Sequence, residues 1–247
     1  MIKKLILILL LLSSHLIEVH AGEKWKISSL EWPPFSGNSL PEGGVAITIL
    51  RQALKLEGVE LLVEFYPWSR ALEVAKKADY AGVYPAWPEE VAPGFSQSIV
   101  FIKSPVGFVE RKNKPLIWNK LSDLKGKTIG IVQGYGNTPL LMKLIKKGDI
   151  VAEIVQDDAT NIRKVAAGRI DSAFIDLNNL AYYLKYDCKD IAMKLQANKK
   201  IVANKKIVFA INKSFKGSMK VASVLEKGML KINSEKITET YMQKYIY

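Results

Sequence analysis

Two runs of alternating strand-like and helix-like segments, separated by one long strand-like stretch, set the fold class of this chain. In the first, Trp25–Leu30 alternates as a strand does and stops at Glu31-Trp32-Pro33-Pro34-Phe35, where two prolines forbid continuation. Ile47, Leu50 and Leu54 then recur at helical spacing, with Gly58 as a stop. Glu60–Tyr66 is a second strand, a helix capped by Ser69 runs to about Lys77, and Tyr80–Tyr84 is a third strand closed by Pro85. The second run repeats the order. Lys127–Val132 is a strand, and Gln133–Thr138 is a glycine-containing loop. Thr138-Pro139 opens a helix to Lys147, because proline at the first helical position loses no needed hydrogen bond and threonine can cap. Ala152–Val155, a helix over Thr160–Ala167, and a strand over Ser172–Ile175 that ends on Asp176 complete it. Such alternation predicts parallel α/β sheets. Ile99–Glu110 lies between the runs and Lys205–Ile211 follows the second; helical patterns over Ser218–Ile232 and Ser234–Lys244 close the chain. Two strands flanking an internal segment mean two crossings between lobes, a geometry suited to hinge closure.

The first 21 residues restrict the chemistry. Lys3 and Lys4, the apolar run Leu5–Leu12 and Val19-His20-Ala21 read as a cleaved export signal over Met1–Ala21. The run is too short to span a bilayer, which takes roughly 17–25 apolar residues. Both histidines, His15 and His20, lie within Met1–Ala21, so the mature chain has none. A Ser-His-Asp or Cys-His nucleophile and a histidine-based zinc site are therefore excluded; binding and carboxylate-only chemistry remain. Cys188, the only cysteine, forms no internal disulfide and reads as a buried small hydrophobe. No cysteine stands at the cut to accept a lipid. The net charge of +12 falls to +11 without the leader. With no nucleic-acid motif in an exported chain, we read it as a solvated lysine surface compatible with anionic ligands or an anionic envelope.

On these residues the chain resembles the bacterial extracellular solute-binding proteins of family 3, the periplasmic receptors of amino-acid-type ABC importers. The most specific stretches are L-S-D-L-K-G-K-T-I-G-I-V-Q-G-Y-G-N-T at Leu121–Thr138 and A-A-G-R-I-D-S-A-F-I-D at Ala166–Asp176. E-W-P-P-F at Glu31–Phe35 and Y-P-W-S-R-A-L at Tyr66–Leu72 are similar to a divergent branch of that family. The resemblance implies a two-lobed periplasmic-binding-protein (type II) α/β fold. Lobe one would be residues 22–107 plus 207–247, lobe two residues 108–206, with two hinge strands between them. It also implies a small-molecule solute, an inner-membrane ABC permease as partner, a monomeric periplasmic receptor, no enzymatic activity, no metal and no cofactor.

Site residues follow from strand-end loops, where open α/β sheets bind ligands. Gln133, Gly134, Tyr135, Asn137 and Thr138 lie between a strand and a helix start, which favours an anion; the family loop grips a ligand carboxylate. Asp176 matches the family aspartate that holds a ligand ammonium, the alternative being a turn or N-cap role. Where the family carries an arginine for the α-carboxylate, this chain has Val91, in Pro85-Ala86-Trp87-Pro88-Glu89-Glu90-Val91. Arg70 is the nearest replacement cation, or else a salt-bridge partner. Glu31, Trp32, Phe35, Trp68, Tyr84 and Trp87 fall in or beside lobe-one loops, where aromatics either stack on a solute or simply pack. Asp157 or Asp158 is expected to cap the helix near Thr160. Two other functions share the scaffold: a ligand-sensing module of a signalling receptor, and a cyclohexadienyl-dehydratase-like enzyme with Glu31 or Glu89 as a general acid raised by burial.

Overall fold

The computed structural model describes residues 23–246, so the expected leader lies outside the described residues. Nine strands form one sheet: β1 (Glu23–Ser29), β2 (Val59–Phe65), β3 (Tyr80–Ala86), β4 (Phe95–Arg111), β5 (Thr128–Val132), β6 (Val151–Val155), β7 (Ser172–Asp176), β8 (Leu195–Ala197) and β9 (Ala203–Asn212). Seven α-helices accompany them among the described residues: α1 (Val45–Lys55), α2 (Trp68–Val74), α3 (Pro139–Lys146), α4 (Asp158–Ala166), α5 (Leu177–Lys185), α6 (Ser218–Leu230) and α7 (Ser234–Tyr245). None of these helices is long and apolar enough to cross a membrane.

The strand order is β2-β1-β3-β9-β4-β7-β5-β6, with β8 beside β4. β1 runs parallel to β2 and β3, and β5 runs parallel to β6 and β7, so each run builds its own parallel set. The antiparallel pair β4 and β9 joins the sets. β4 pairs with β9 from Phe95 to Val106, then with β7 from Val106 to Val109, changing neighbour at one residue. Gly82 lets β3 lie against β9, since a β-carbon there would run into the Ala210 carbonyl and the Phe209 ring.

Apolar spacing decides what each helix buries. α1 turns Val45, Ala46, Ile47, Ile49, Leu50, Ala53 and Leu54 inward, while α4 buries Ile162 and Val165 beside Cys188 in a smaller cluster. Three local expectations change. α2 starts after Pro67 and ends at Val74, so Ser69 is not its cap. Pro85 does not close β3, which continues to Ala86. Thr138 occupies the N-cap position of α3, but its hydroxyl is buried without a partner and makes no capping bond. Asp157 does cap α4, its Oδ1 accepting from the Thr160 N–H at 2.7 Å. Asp157→Ala is expected to cost about 1 kcal/mol and to lower the melting temperature by about 2–4 °C in a thermal melt.

Candidate functional site

The loops at the carboxyl ends of β1, β3, β5 and β7 meet at one crevice. Its open part is a cleft of about 490 Å³ lined by Glu31, Tyr66, Trp68, Gln133, Gln156, Asp158 and Tyr183, among others. Two small spaces of about 10 Å³ each, room for about one water, adjoin it. Leu30, Trp68, Pro85 and Glu90 help line one, and Asn137, Asp158, Phe174 and Asp176 the other. Trp32 and Trp87 line both small spaces, and Tyr135 lines all three.

The aromatic side chains form a connected wall. Trp32 stacks on Phe35 at 4.4 Å between ring centres, meets Trp87 edge-on at 5.6 Å, and Trp87 meets Tyr135 edge-on at 6.2 Å. Hydrogen bonds cross the crevice beside it. Trp68 Nε1 donates to the Gly134 carbonyl at 3.0 Å, and Asn179 Nδ2 donates to the Pro33 carbonyl at 2.6 Å. From the β5 side the Gly136 N–H donates to Glu90 Oε1 at 2.8 Å, while the Trp87 N–H donates to Oε2 of the same carboxylate at 2.7 Å.

Three inward carboxylates set the electrostatics. Asp176 is 2% exposed; its Oδ1 accepts from Asn178 and Asn179 at the start of α5, and its Oδ2 is buried without a hydrogen-bond partner. Burial pushes its pKa up to about 7, opposed by the nearby Ser104 hydroxyl and the two N–H groups. Asp158, also buried, is pushed up to about 8 by burial first and then by repulsion from Asp176 and Asp157. Glu90 is half-buried as a residue, yet its carboxyl turns inward, and burial raises it to about 7 against the pull of its two N–H donors and Lys205. Among the described residues, no lysine or arginine lines any of the three spaces. Lys205 lies close by, paired with Glu89 at 2.8 Å and placed over the Trp87 ring at 4.7 Å. The positive charge of the chain therefore does not extend to the crevice, contrary to an anion-receptive reading of it.

The sequence candidates divide accordingly. Glu31, Trp32, Trp68, Trp87, Gln133, Tyr135, Asn137 and Asp176 come together around the crevice, and Gly134 contributes its carbonyl. Four others lie elsewhere. Arg70 is exposed and lines none of these spaces, so it does not stand in for the arginine expected at Val91. Tyr84 is fully buried between Phe101 and Phe209, and Phe35 is core packing behind Trp32. Thr138 faces a separate groove with Pro139, Ala203 and Lys205. Glu31 and Glu89 are exposed, which removes the burial that general-acid duty would require of either. Glu90 is the residue sequence reasoning missed for the site, and Asp158, considered there chiefly as a helix cap, belongs to it as well. Each is the inner member of an acidic pair, and the pairs Glu89-Glu90 and Asp157-Asp158 were the available signal.

No protein of curated function matches the chain in sequence. Among solved structures it is similar to an ancestral arginine-binding protein bound to arginine, at 16% identity and a TM-score of 0.73, over 92% of this chain and 100% of that one. An amino acid ABC transporter substrate-binding protein from Streptococcus pneumoniae bound to L-arginine is similar at 14% identity and a TM-score of 0.71, over 91% and 96%. So is a histidine kinase sensor domain with similarity to periplasmic binding proteins, at 16% and 0.73, over 92% and 97%. At such identities the likeness shows the fold, which is the two-lobed α/β arrangement that the sequence resemblance implied. The family model described as NMT1/THI5 like matches residues 98–227, just over half of the chain, and the chain belongs to that family.

Proposed function

We propose that this chain is an exported solute receptor: residues 22–107 with 207–247 form one lobe, residues 108–206 the other, and they close around a small polar or charged solute for delivery to an ABC importer. The observation that carries this reading is the crevice itself. Its walls come from loops on both sides of the β4–β9 pair, and among the described residues the chain crosses between the two parallel sets along those strands. A solute held by both walls binds the closed form better than the open one, and closure is driven by that difference alone. The solute-binding proteins among the structural neighbours support the reading. The sensor domain among them supports a second one, in which the same closure is read by a signalling receptor. A permease and an ATPase encoded beside the gene would favour import, and a sensor kinase there would favour signalling.

A thermal-shift screen of the mature chain against amino acids, amines, organic acids and small sugars tests the receptor reading. A solute at a hundred times its Kd is expected to stabilise the protein by about 2.7 kcal/mol, raising the melting temperature by roughly 5–10 °C. Binding should also change the intrinsic fluorescence, because Trp32, Trp68 and Trp87 line the crevice. A chain that no member of such a panel stabilises, and whose fluorescence none perturbs, is not a receptor of this kind.

A further inference from the structure

We infer that the solute is an organic cation that carries no carboxylate, because the protein places its own carboxylate, that of Glu90, on a backbone donor of the crevice loop and lines the crevice with two more; this rests on the receptor reading above.

The donors argue first. In the loop leading into α3, the Gly136 N–H is directed at the opposite wall, where Glu90 Oε1 accepts from it at 2.8 Å. The other oxygen of Glu90 is held by the Trp87 N–H, so the carboxylate is fixed at both ends rather than swinging free. No lysine or arginine among the described residues lines the spaces around it, and Lys205 is engaged by Glu89 and the Trp87 ring. An incoming carboxylate would find the Gly136 N–H taken and would face Glu90, Asp158 and Asp176. Like charges so opposed reject a ligand as effectively as a missing contact does.

The acceptors argue second. Asp176 lines the second small space, and among the described residues its buried Oδ2 has no hydrogen-bonding neighbour beyond the Ser104 hydroxyl, so it offers an acceptor that a cationic group entering from the cleft can complete. Asp158 shares that space, and the rings of Trp32, Trp87 and Tyr135 wall it. Aromatic faces attract ammonium and guanidinium groups, more strongly when water is excluded. A metal ion is the alternative cation, but among the described residues no three Asp, Glu, His or Cys side chains are grouped to hold one. What remains is an amine, guanidine or quaternary ammonium solute.

Calorimetric titration with matched pairs tests this: agmatine against L-arginine, cadaverine against L-lysine, choline against glycine betaine, all near pH 8. In at least one pair the member without the carboxylate is expected to bind at least about tenfold more tightly, with no pair reversed. Equal or tighter binding of a carboxylated member overturns the proposal and leaves the receptor reading standing. Binding of neither member in any pair also overturns it, and the wider screen then decides the receptor reading separately. Glu90→Ala frees the Gly136 N–H and should shrink the preference within the binding pair by about tenfold. Glu90→Gln, which keeps an acceptor there without the charge, should shrink it less and serves where the alanine variant does not fold. A preference unchanged in both variants overturns the assignment to Glu90.

Discussion

Changing Asp176 to Asn is expected to weaken solute binding about a hundredfold while making the unliganded protein more stable near pH 8. The two effects come from different oxygens of one side chain. Oδ1 caps α5 through the N–H groups of Asn178 and Asn179, and an asparagine Oδ1 can accept the same bonds, since Asn caps as well as Asp. Oδ2 is buried without a hydrogen-bond partner, and burial has raised the group to about 7, so above that pH the folded protein holds a poorly solvated charge. The amide removes that cost and also the repulsion that Asp176 exerts on Asp158. We expect a gain of about 2 kcal/mol, seen as a rise of roughly 5 °C in the melting temperature. Affinity for an amine solute should fall by about a hundredfold, the loss of a charge-assisted contact. If stability and affinity fall together, Asp176 is a structural cap and nothing more. If affinity is unchanged, the solute is not held there.

Why Asp176 was legible and Glu90 was not is a matter of how far each argument had to reach. Asp176 ends a five-residue strand and starts a helix, so its place at a sheet edge follows from local pattern alone. The crossing strands β4 and β9 were legible for the same reason, as apolar strand-like runs over Ile99–Glu110 and Lys205–Ile211. Glu90 sits in a short turn, Pro88–Glu90, and its role depends on a glycine 46 residues away in the other half of the fold. Nothing in the local sequence reports such a contact. Tyr84 and Arg70 failed in the opposite direction. Strand alternation fixed which face Tyr84 would take, but only the packing of Phe101 and Phe209 shows that this face is core. Arg70 lies two residues from Trp68 on α2, a spacing that turns the two side chains to different sides of a helix. The helix α5 is not announced in the sequence, because Leu177–Lys185 follows Asp176 with no loop between strand and helix.

Raising the pH from about 5 to about 8 should weaken the unliganded protein and strengthen its grip on an amine. The three crevice carboxylates all have raised values, Glu90 and Asp176 at about 7 and Asp158 at about 8, with burial as the leading cause in each. A carboxyl raised in the folded state binds a proton that the unfolded chain has already released. Stability is therefore greatest at the acid end of the window and is lost as the pH climbs from about 4.5, where unfolded carboxylates ionise, through 7 to 8. The charges facing these groups are Lys205 and Glu89 for Glu90, Asp157 and Asp176 for Asp158; Ser104, Asn178 and Asn179 oppose the rise at Asp176 through hydrogen bonds. Carboxylates with lowered values, such as Glu64, Asp79 and Asp123, act below the window. A fall of roughly 5–10 °C in melting temperature between about pH 5 and pH 8 is expected. An ammonium or guanidinium group needs ionised partners, so its affinity should rise over the same interval. At about pH 7 its binding should release close to one proton, read from the dependence of the calorimetric heat on the ionisation enthalpy of the buffer. A melting temperature that climbs across this range, together with proton uptake on binding, would show that the crevice carboxylates are already ionised in the free protein and are not what the cation completes.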